Sequence, residues 1–304
     1  MLVYTVFLNS PLEQGMASIS VVIPSYNPLP QHLETLYGSL LAQTMGDFEV
    51  VVVDDASERA DYSVLQDPRF RVLRRDRRSG PAVCRNAGAA EAACDRLFFT
   101  DTDCELTSET LEIVRRTLET EGTCTGDTIT RVRTAFGRAA ALLGFPGGGI
   151  IGFDRVWRVD ADGYARSFSS CNLGMRRETF EATGRFDESF PVPGGEDTVL
   201  ARRMVDGGMK IRYVPGQVVY HVEKNDLRGF IRWQITRGRG NYHIKRRVPN
   251  VGGYLRLRVW TFSNSLKAAG PLYALPVLAL ITLSVTLQTW GFWLESRKQG
   301  EHHG

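Results

Sequence analysis

Two carboxylates stand one residue apart where an apolar run ends. Asp101 and Asp103 follow the apolar residues 97–99 in the segment "FFTDTDCEL". Three kinds of chemistry fit this pattern. The acids could bind a divalent cation, cap the helix that follows, or decorate a turn. The strands and helices around the two acids distinguish between these alternatives.

Two other apolar runs end in polar residues. "ISVVI" (19–23) leads into "PSYN", which contains Pro24, Tyr26 and Asn27, and "FEVVVV" (48–53) leads into "DDAS", which contains Asp54 and Asp55. Each group could be ordinary turn or cap chemistry. Ligands of parallel sheets bind beyond the carboxyl ends of the strands, however, and three polar strand ends at one edge are unusual by chance. The convergence predicts a binding site there.

The order of elements predicts an α/β fold. Short β-branched runs alternate with segments of helical spacing, which indicates a doubly wound, mostly parallel sheet. The first half has expected strands at 19–23, 48–53, 69–73 and 96–100, and expected helices near 33–41 and 81–94. The second half has an expected helix at 196–206, a flexible Gly-rich loop at 147–149, and a hairpin in "KIRYVPGQVVYHV" split at Pro215-Gly216.

Charge is spread unevenly along the 304 residues. Residues 227–267 hold ten Lys or Arg and no acid; without those ten charges the net charge of +3 becomes −7. A basic arm on an acidic body indicates a polyanionic partner surface. Its amphipathic pattern from residue 225 fits a helix lying on an anionic bilayer. No nucleic-acid recognition motif accompanies the charge, so nucleic acid is not an expected partner.

An uncharged stretch follows the basic arm. Residues 268–294 are long enough to span a bilayer, with Trp290 and Trp293 near the end and Pro271 and Pro276 kinking the start. The alternative is a buried or partner-packed helix. Ten cations before the stretch and few after it predict a membrane-associated protein whose body is cytoplasmic.

Five cysteines lack metal-ligand spacing, and their odd number in a cytoplasmic body indicates free thiols. The first 15 residues lack the cationic start of a signal peptide. We expect an N-terminal extension, a catalytic domain, a basic membrane-proximal region, a hydrophobic membrane segment and a tail, with the bounds 1–17, 18–224, 225–267, 268–294 and 295–304.

Six segments in order and spacing resemble the inverting family 2 glycosyltransferases of the GT-A fold, over residues 18–250. They are "SVVIPSYN", "LLAQTMGDFEVVVVDDAS", "SGPAVCRNAGAAEA", "FFTDTDCEL", "CNLGMRRETFEATGRFDESF" and "GGEDTVLARR". The resemblance implies transfer of a sugar from a nucleoside diphosphate donor with Mg²⁺ or Mn²⁺. It implies that Asp103 binds the metal and that Asp101 faces the ribose or the metal. Thr107 or Ser108 would be the better cap for the next helix.

The resemblance also implies a nucleotide pocket at the first two strand ends. Tyr26 would stack on the base and Asp55 would accept a hydrogen bond from it, with Pro24 and Asn27 beside them. Arg85 would lie on a helix facing this pocket, or would be an ordinary surface residue.

In "GGEDTVLARR" the resemblance makes Asp197 the base that deprotonates the acceptor. Glu196 would be a helix N-terminal acid or an acceptor contact, and the alternative makes both acids first-turn partners of the helix dipole. His221 would be a late metal ligand or a solvated strand-end histidine. The family's Gln-x-x-Arg-Trp element is altered here, because Gly229 stands three residues before Arg232, which argues against processive synthesis.

The predicted function is therefore transfer of one sugar, with inversion and with UDP-sugar as the favoured donor. The expected acceptor is lipid-linked or a saccharide, in glycolipid or cell-surface polysaccharide assembly at the cytoplasmic membrane face. A sugar-nucleotide nucleotidyltransferase is the alternative, but it would need a basic Gly-rich loop where "PSYNPLPQH" stands. A non-catalytic GT-A-like scaffold is disfavoured because Asp101, Asp103 and Asp197 are all present.

Overall fold

The computed structural model describes residues 5–7, 17–191, 193–222, 226–248 and 251–300. Eleven strands in these ranges form one sheet: β1 Thr5–Phe7, β2 Ile19–Ser25, β3 Phe48–Asp54, β4 Phe70–Arg74, β5 Arg96–Phe99, β6 Cys104–Leu106, β7 Thr123–Arg131, β8 Gly148–Gly149, β9 Tyr164–Ala165, β10 Leu173–Arg176 and β11 Ile211–Val222. The helices are α1 Pro30–Leu41, α2 Pro81–Glu91, α3 Thr110–Thr117, α4 Ala135–Ala141, α5 Arg177–Ala182, α6 Glu196–Asp206, α7 Leu227–Arg247 and α8 Val251–Gly300, with a 3-10 turn at Phe153–Arg155.

The sheet confirms the predicted α/β class. Its main strand order is β1-β4-β3-β2-β5-β10-β7-β11-β6. Strands β4, β3, β2 and β5 are parallel, whereas β10 runs antiparallel between β5 and β7. Part of the predicted N-terminal extension, Thr5–Phe7, belongs to this sheet as an antiparallel edge strand on β4.

Alternation along the buried strands explains the two helical layers. Val21 and Ile23 of β2 pack in the cluster that contains the leucines of α1, whereas Val22 packs in the cluster that contains Ala82 and Ala89 of α2. Successive strand side chains point to opposite faces, so a continuous apolar run requires cover on both. The polar residues that follow each run therefore emerge together at one edge.

Two local predictions are wrong. The expected hairpin is one strand, β11, which pairs in parallel with β7 on both sides of an irregularity between Val214 and Val218. The bulge absorbs Pro215, which lacks the N–H that a regular ladder needs. The expected flexible loop at 147–149 is buried, and Gly148–Gly149 pairs with β7.

The C-terminal region forms a helical layer of its own. Helix α8 is interrupted at Gly270, whose φ of 60° and ψ of −178° are not helical, directly before Pro271. We call residues 251–269 the first arm and residues 271–298 the second arm. The second arm runs beside α7 from Phe230, which shares a cluster with Val277, to His243, which contacts Glu295.

Candidate active site

A cleft of about 1180 Å³ opens at the edge of the sheet where β2, β3 and β5 end. All the predicted site residues line it: Pro24, Tyr26, Asn27, Asp55, Arg85, Asp101, Asp103, Asp197 and His221. The first seven come from the N-terminal half, through β2, β3, α2 and the turn after β5. Asp197 and His221 come from α6 and β11, so the fold gathers both halves of the chain around one space.

One end of the cleft presents an aromatic ring and a carboxylate. The guanidinium of Arg78 lies over the ring of exposed Tyr26, 4.0 Å from its centroid. Asp55 accepts hydrogen bonds from the backbone N–H of Ser79 at 2.7 Å and of Gly80 at 2.8 Å. The carboxylate thus fixes the loop that carries Arg78. Sequence reasoning missed this arginine, although the basic run "RRDRRSG" was a signal for it.

The neighbouring polar residues stabilise the loops themselves. Asn27 Oδ1 accepts hydrogen bonds from the backbone N–H of Glu58 and Arg59, at 3.0 and 3.1 Å. Asp54 is fully buried and bonds Arg74 at 3.0 Å. These are the turn roles that the sequence left open, and they hold the rim on which Tyr26 sits.

Arg85 joins the two sides of the cleft. Only 3% of its side chain is exposed, and its two terminal nitrogens bond different carboxylates: Asp101 Oδ1 at 2.7 Å and Glu196 Oε1 at 2.8 Å. The planar fork of guanidinium donors lets one arginine bridge two carboxylates. Arg85 is therefore a buried clamp, and the interpretation as an ordinary surface residue is wrong.

Asp103 belongs to a group of possible metal ligands. Register between β11 and β6 pairs His221 with Cys104, next to Asp103. The candidate ligand atoms of Asp103, Cys104 and His221 all lie within 4.8 Å of one another, and His221 Nε2 is 3.4 Å from Asp103 Oδ1. His221 Nδ1 lies 2.8 Å from the Val222 carbonyl, which puts the proton on Nδ1 and directs Nε2 at the acids.

This donor set fits Mg²⁺ or Mn²⁺. Carboxylate oxygens are the ligands such hard cations prefer, and the imidazole of His221 adds one nitrogen donor. Burial raises the pKa of the Cys104 thiol well above its ordinary value, so the sulfur stays protonated and is the weaker ligand. Helix α3 begins only at Thr110, and its N-cap Glu109 makes no side-chain cap bond. Within the described chain, Asp101 and Asp103 therefore have cleft positions and not cap positions.

The other candidate centre is the first turn of α6. The preceding residue, Gly195, has a φ of 120°, and an added Cβ would meet Phe190 and Ile244 at 2.9 Å. Only glycine fits that turn. Asp197 Oδ1 accepts a hydrogen bond from the Thr198 N–H at 2.7 Å. Burial and the charge of Glu196 raise the pKa of Asp197 to about 6. A carboxyl in that range is ionised near neutrality and can still take up a proton.

Helix α7, the first arm and residues 145–157 together supply an aromatic and basic wall. The guanidinium groups of Arg237 and Arg258 lie 3.9 and 4.5 Å from the ring centroid of Phe145, and Trp157 and Trp233 also line the cleft. Phe145, Trp157 and Arg258 are distant in sequence from every motif, and no local pattern marked them. This wall lies in the part of the cleft contributed by the C-terminal half.

Comparison with solved structures assigns this sheet and cleft to the GT-A fold of glycosyltransferases. The mannosyltransferase PcManGT from Pyrobaculum calidifontis, solved with GDP-Man and Mn²⁺, matches 93% of this chain and 91% of its own with a TM-score of 0.60 and 19% identity. GalNAc-T7, solved with UDP, GalNAc and Mn²⁺, matches 84% of this chain and 57% of its own, with a TM-score of 0.56 and 17% identity.

The chain belongs to glycosyl transferase family 2, whose family model matches residues 20–183, more than half of the sequence. It is thus a glycosyltransferase, which confirms the resemblance and sets aside the nucleotidyltransferase alternative. The O-antigen biosynthesis protein RfbC of Myxococcus xanthus is 28% identical over 65% of this chain and 17% of its own length. The succinoglycan biosynthesis protein ExoW of Rhizobium meliloti is 36% identical over 29% and 30%. The chain thus spans less than a third of either relative.

Proposed function

We propose that the chain transfers one sugar from a nucleoside diphosphate sugar to an acceptor hydroxyl, with a divalent cation and with inversion. The supporting observation is the Arg85 clamp. It joins the acid pair at the end of β5 to the turn that carries Asp197, across the width of one cleft. A displacement in which one side holds the leaving diphosphate and the other takes the acceptor proton needs that arrangement.

The donor lies at the β2–β3 end of the cleft. Tyr26 and Arg78 offer the base a stacking surface, and Asp55 offers an acceptor for a base N–H. Asp101, Asp103 and His221 hold Mg²⁺ or Mn²⁺, which when bound neutralises charge on the leaving diphosphate. Two structural neighbours, solved with Mn²⁺ and with GDP-Man or UDP, support this assignment of cofactor and donor class. We retain a UDP-sugar as the favoured donor.

Asp197 acts as the base. Its carboxylate accepts the proton of the acceptor hydroxyl while that oxygen attacks the anomeric carbon and the diphosphate leaves. One carboxylate is sufficient for a single displacement, which inverts the anomeric configuration. Glu196 is held by Arg85 and by the Gly194 N–H at 2.8 Å, so its role is to fix the turn and to tune the pKa of its neighbour.

The acceptor is a lipid-linked or free saccharide handled at the cytoplasmic membrane face, in glycolipid or cell-surface polysaccharide assembly. The names of the RfbC and ExoW relatives support this role. Residues 18–224 then form the catalytic domain and the C-terminal helices the membrane-facing region. One helix, within 256–298, is long and apolar enough to cross a membrane by length and composition.

Calorimetric titration with UDP, GDP and dTDP, with and without Mn²⁺, tests the donor site. We expect one nucleotide to bind in the presence of Mn²⁺, and binding to be lost in Asp103→Ala but kept in Glu178→Ala. Glu178 is a carboxylate on α5 whose side chain is 75% exposed and does not line the cleft. Equal binding by Asp103→Ala, or tight binding without any divalent cation, would contradict the metal–diphosphate assignment.

A further inference from the structure

We propose that the second arm of α8 does not cross the membrane but lies along its surface, with its outer face in an anionic lipid bilayer. This deepens the membrane-facing part of the proposed function and is independent of the donor and base assignments. Length alone does not decide, because residues 271–295 would extend about 37 Å as a helix and a bilayer core is about 30 Å thick. The packing of the arm against α7 distinguishes a helix that crosses the bilayer from one that lies on its surface.

The second arm is packed against α7 at backbone distance. A Cβ added to Gly238 of α7 would collide with the carbonyl oxygen of Gln288, and one added to Gly291 would collide with that of Ile235. Buried positions on the arm, Val277, Leu280, Ile281, Ser284, Gly291 and Glu295, recur at helical spacing and face α7. The arm is therefore one half of a helix pair and not an isolated segment.

Polar side chains join the two helices in the middle of the pair. Gln234 of α7 accepts hydrogen bonds from Ser284 Oγ at 2.9 Å and from Gln288 Nε2 at 2.7 Å. Asn241 donates to Gln288 Oε1 at 3.0 Å. A span separated from α7 would take Ser284 and Gln288 into hydrocarbon without these partners, which is unfavourable.

A buried carboxylate closes the far end of the pair. Glu295 is 2% exposed and accepts bonds from Arg239 Nε at 2.6 Å and His243 Nε2 at 3.0 Å. Removing one partner of such a buried ionic group is strongly destabilising. The residue stands directly after the uncharged stretch that looked like a membrane segment, yet both of its partners belong to α7.

Helix α7 is in turn fixed to the catalytic domain. Arg247 bonds Asp187 at 2.5 Å, and the ring of Phe190 packs on His243 with a centroid distance of 5.6 Å. If the second arm crossed the membrane, α7 would therefore have to enter the hydrocarbon with it. The exposed charge of Arg232 would then lie inside the bilayer, where a charged side chain is unfavourable. Pair and domain form one body, and that body has to lie on one side of the bilayer.

The outer face of the arm is suited to a lipid surface. Leu272 and Leu275 are 81% and 78% exposed. Leu278, Val285, Trp290 and Trp293 extend this face, and residues 268–294 carry no charge. The helix pair also carries exposed cations, on α7 and at the end of the arm: Arg228, Arg232, Lys245, Arg246, Arg297 and Lys298. An apolar face on a cationic helix pair fits anionic lipid, whereas a symmetric second copy would bring the cations of two pairs together.

Labelling with a membrane-impermeant maleimide tests the topology. All five native cysteines are buried, so the parent chain should stay unlabelled. The variants Arg256→Cys and Lys298→Cys place one exposed thiol near the start of the first arm and one at the end of the second. We expect both to label in inverted membrane vesicles and neither in right-side-out vesicles. Labelling of Lys298→Cys from the side opposite to Arg256→Cys would overturn the proposal.

Flotation of the purified full chain with lipid vesicles tests whether anionic lipid binds the outer face of the second arm. We expect it to float with vesicles containing phosphatidylglycerol and much less with pure phosphatidylcholine. Leu275→Glu and Trp290→Glu should each lower the bound fraction on the order of tenfold. Leu41→Glu, at a leucine on α1 that is 41% exposed, is the matched control and should not. A chain that forms a stable dimer through this face and does not float would refute lipid as the occupant. The nucleotide titration on the same sample reports separately on the proposed function.

Discussion

Lowering the pH should remove the activity of this enzyme through Asp197. Burial and the neighbouring Glu196 raise the pKa of its carboxyl to about 6. The carboxyl is then about 90% ionised at pH 7 and about 10% ionised at pH 5, so kcat/KM should fall roughly tenfold over that interval. An aspartate with the ordinary pKa near 3.8 would lose only about 6% of its ionised form over the same interval.

Glu196→Gln separates the two causes of the raised pKa. The substitution removes the negative charge beside Asp197 and releases Arg85 from its second carboxylate. Both changes favour the ionised form, so the acid limb of kcat/KM should move below pH 6. Asp197→Asn should abolish transfer at every pH and leave donor binding intact, because the base acts on the acceptor and not on the nucleotide.

The assay is the initial rate of sugar transfer between about pH 4.5 and 8 at saturating Mn²⁺ and low acceptor. Nucleotide affinity measured over the same range is the control, since protonation of Asp197 would not weaken the donor complex. Three results would refute the reasoning: a flat profile between pH 5 and 7, transfer by Asp197→Asn, or an acid limb that follows nucleotide affinity.

Three further predictions concern stability. Arg85→Met should lower the free energy of unfolding by about 3–5 kcal/mol in urea titrations, because Glu196 is left as a buried charge without its cation; a loss below about 1 kcal/mol would mean that the clamp is not structural. Asp197→Asn should raise Tm at pH 8 but not at pH 4. A carboxyl whose pKa is higher in the folded chain contributes stability only at low pH and loses it as the pH rises through about 6. Gly238→Ala should cost about 1–3 kcal/mol by forcing α7 and the second arm apart, whereas Gly46→Ala, where an added Cβ has open space, should be neutral.

The N-terminal half of the fold was predictable because its signals are local. β-Branched runs such as "ISVVI" and "FEVVVV" can only be buried strands, and each begins and ends within two residues of its expected bounds. In the second half the decisive contacts are distant. Pro215-Gly216 has the composition of a turn, and only the pairing of both flanks with β7 makes β11 one strand.

The site could be predicted as a set of residues but not as a set of contacts. Strand ends brought Tyr26, Asp55 and Asp101 to one edge because the sheet is parallel there. The clamp was hidden, since Glu196 lies 111 residues after Arg85 and its own motif allowed either a helix-dipole or an acceptor role. Composition likewise could not distinguish a membrane span from a helix packed on α7, because the distinguishing residue, Glu295, lies just outside the apolar stretch.

The Arg85 clamp has a consequence for protein engineering. The family match ends at residue 183, so the recognised segment contains most of the proposed donor site and lacks His221 and the proposed base, Asp197. A chimaera that exchanges the segment after residue 183 for that of another family member would aim to change the acceptor while keeping the donor. We expect such an exchange to succeed only if the transplanted segment places a carboxylate against Arg85, as Glu196 does here. This one contact can therefore be used to choose which family members may donate the segment.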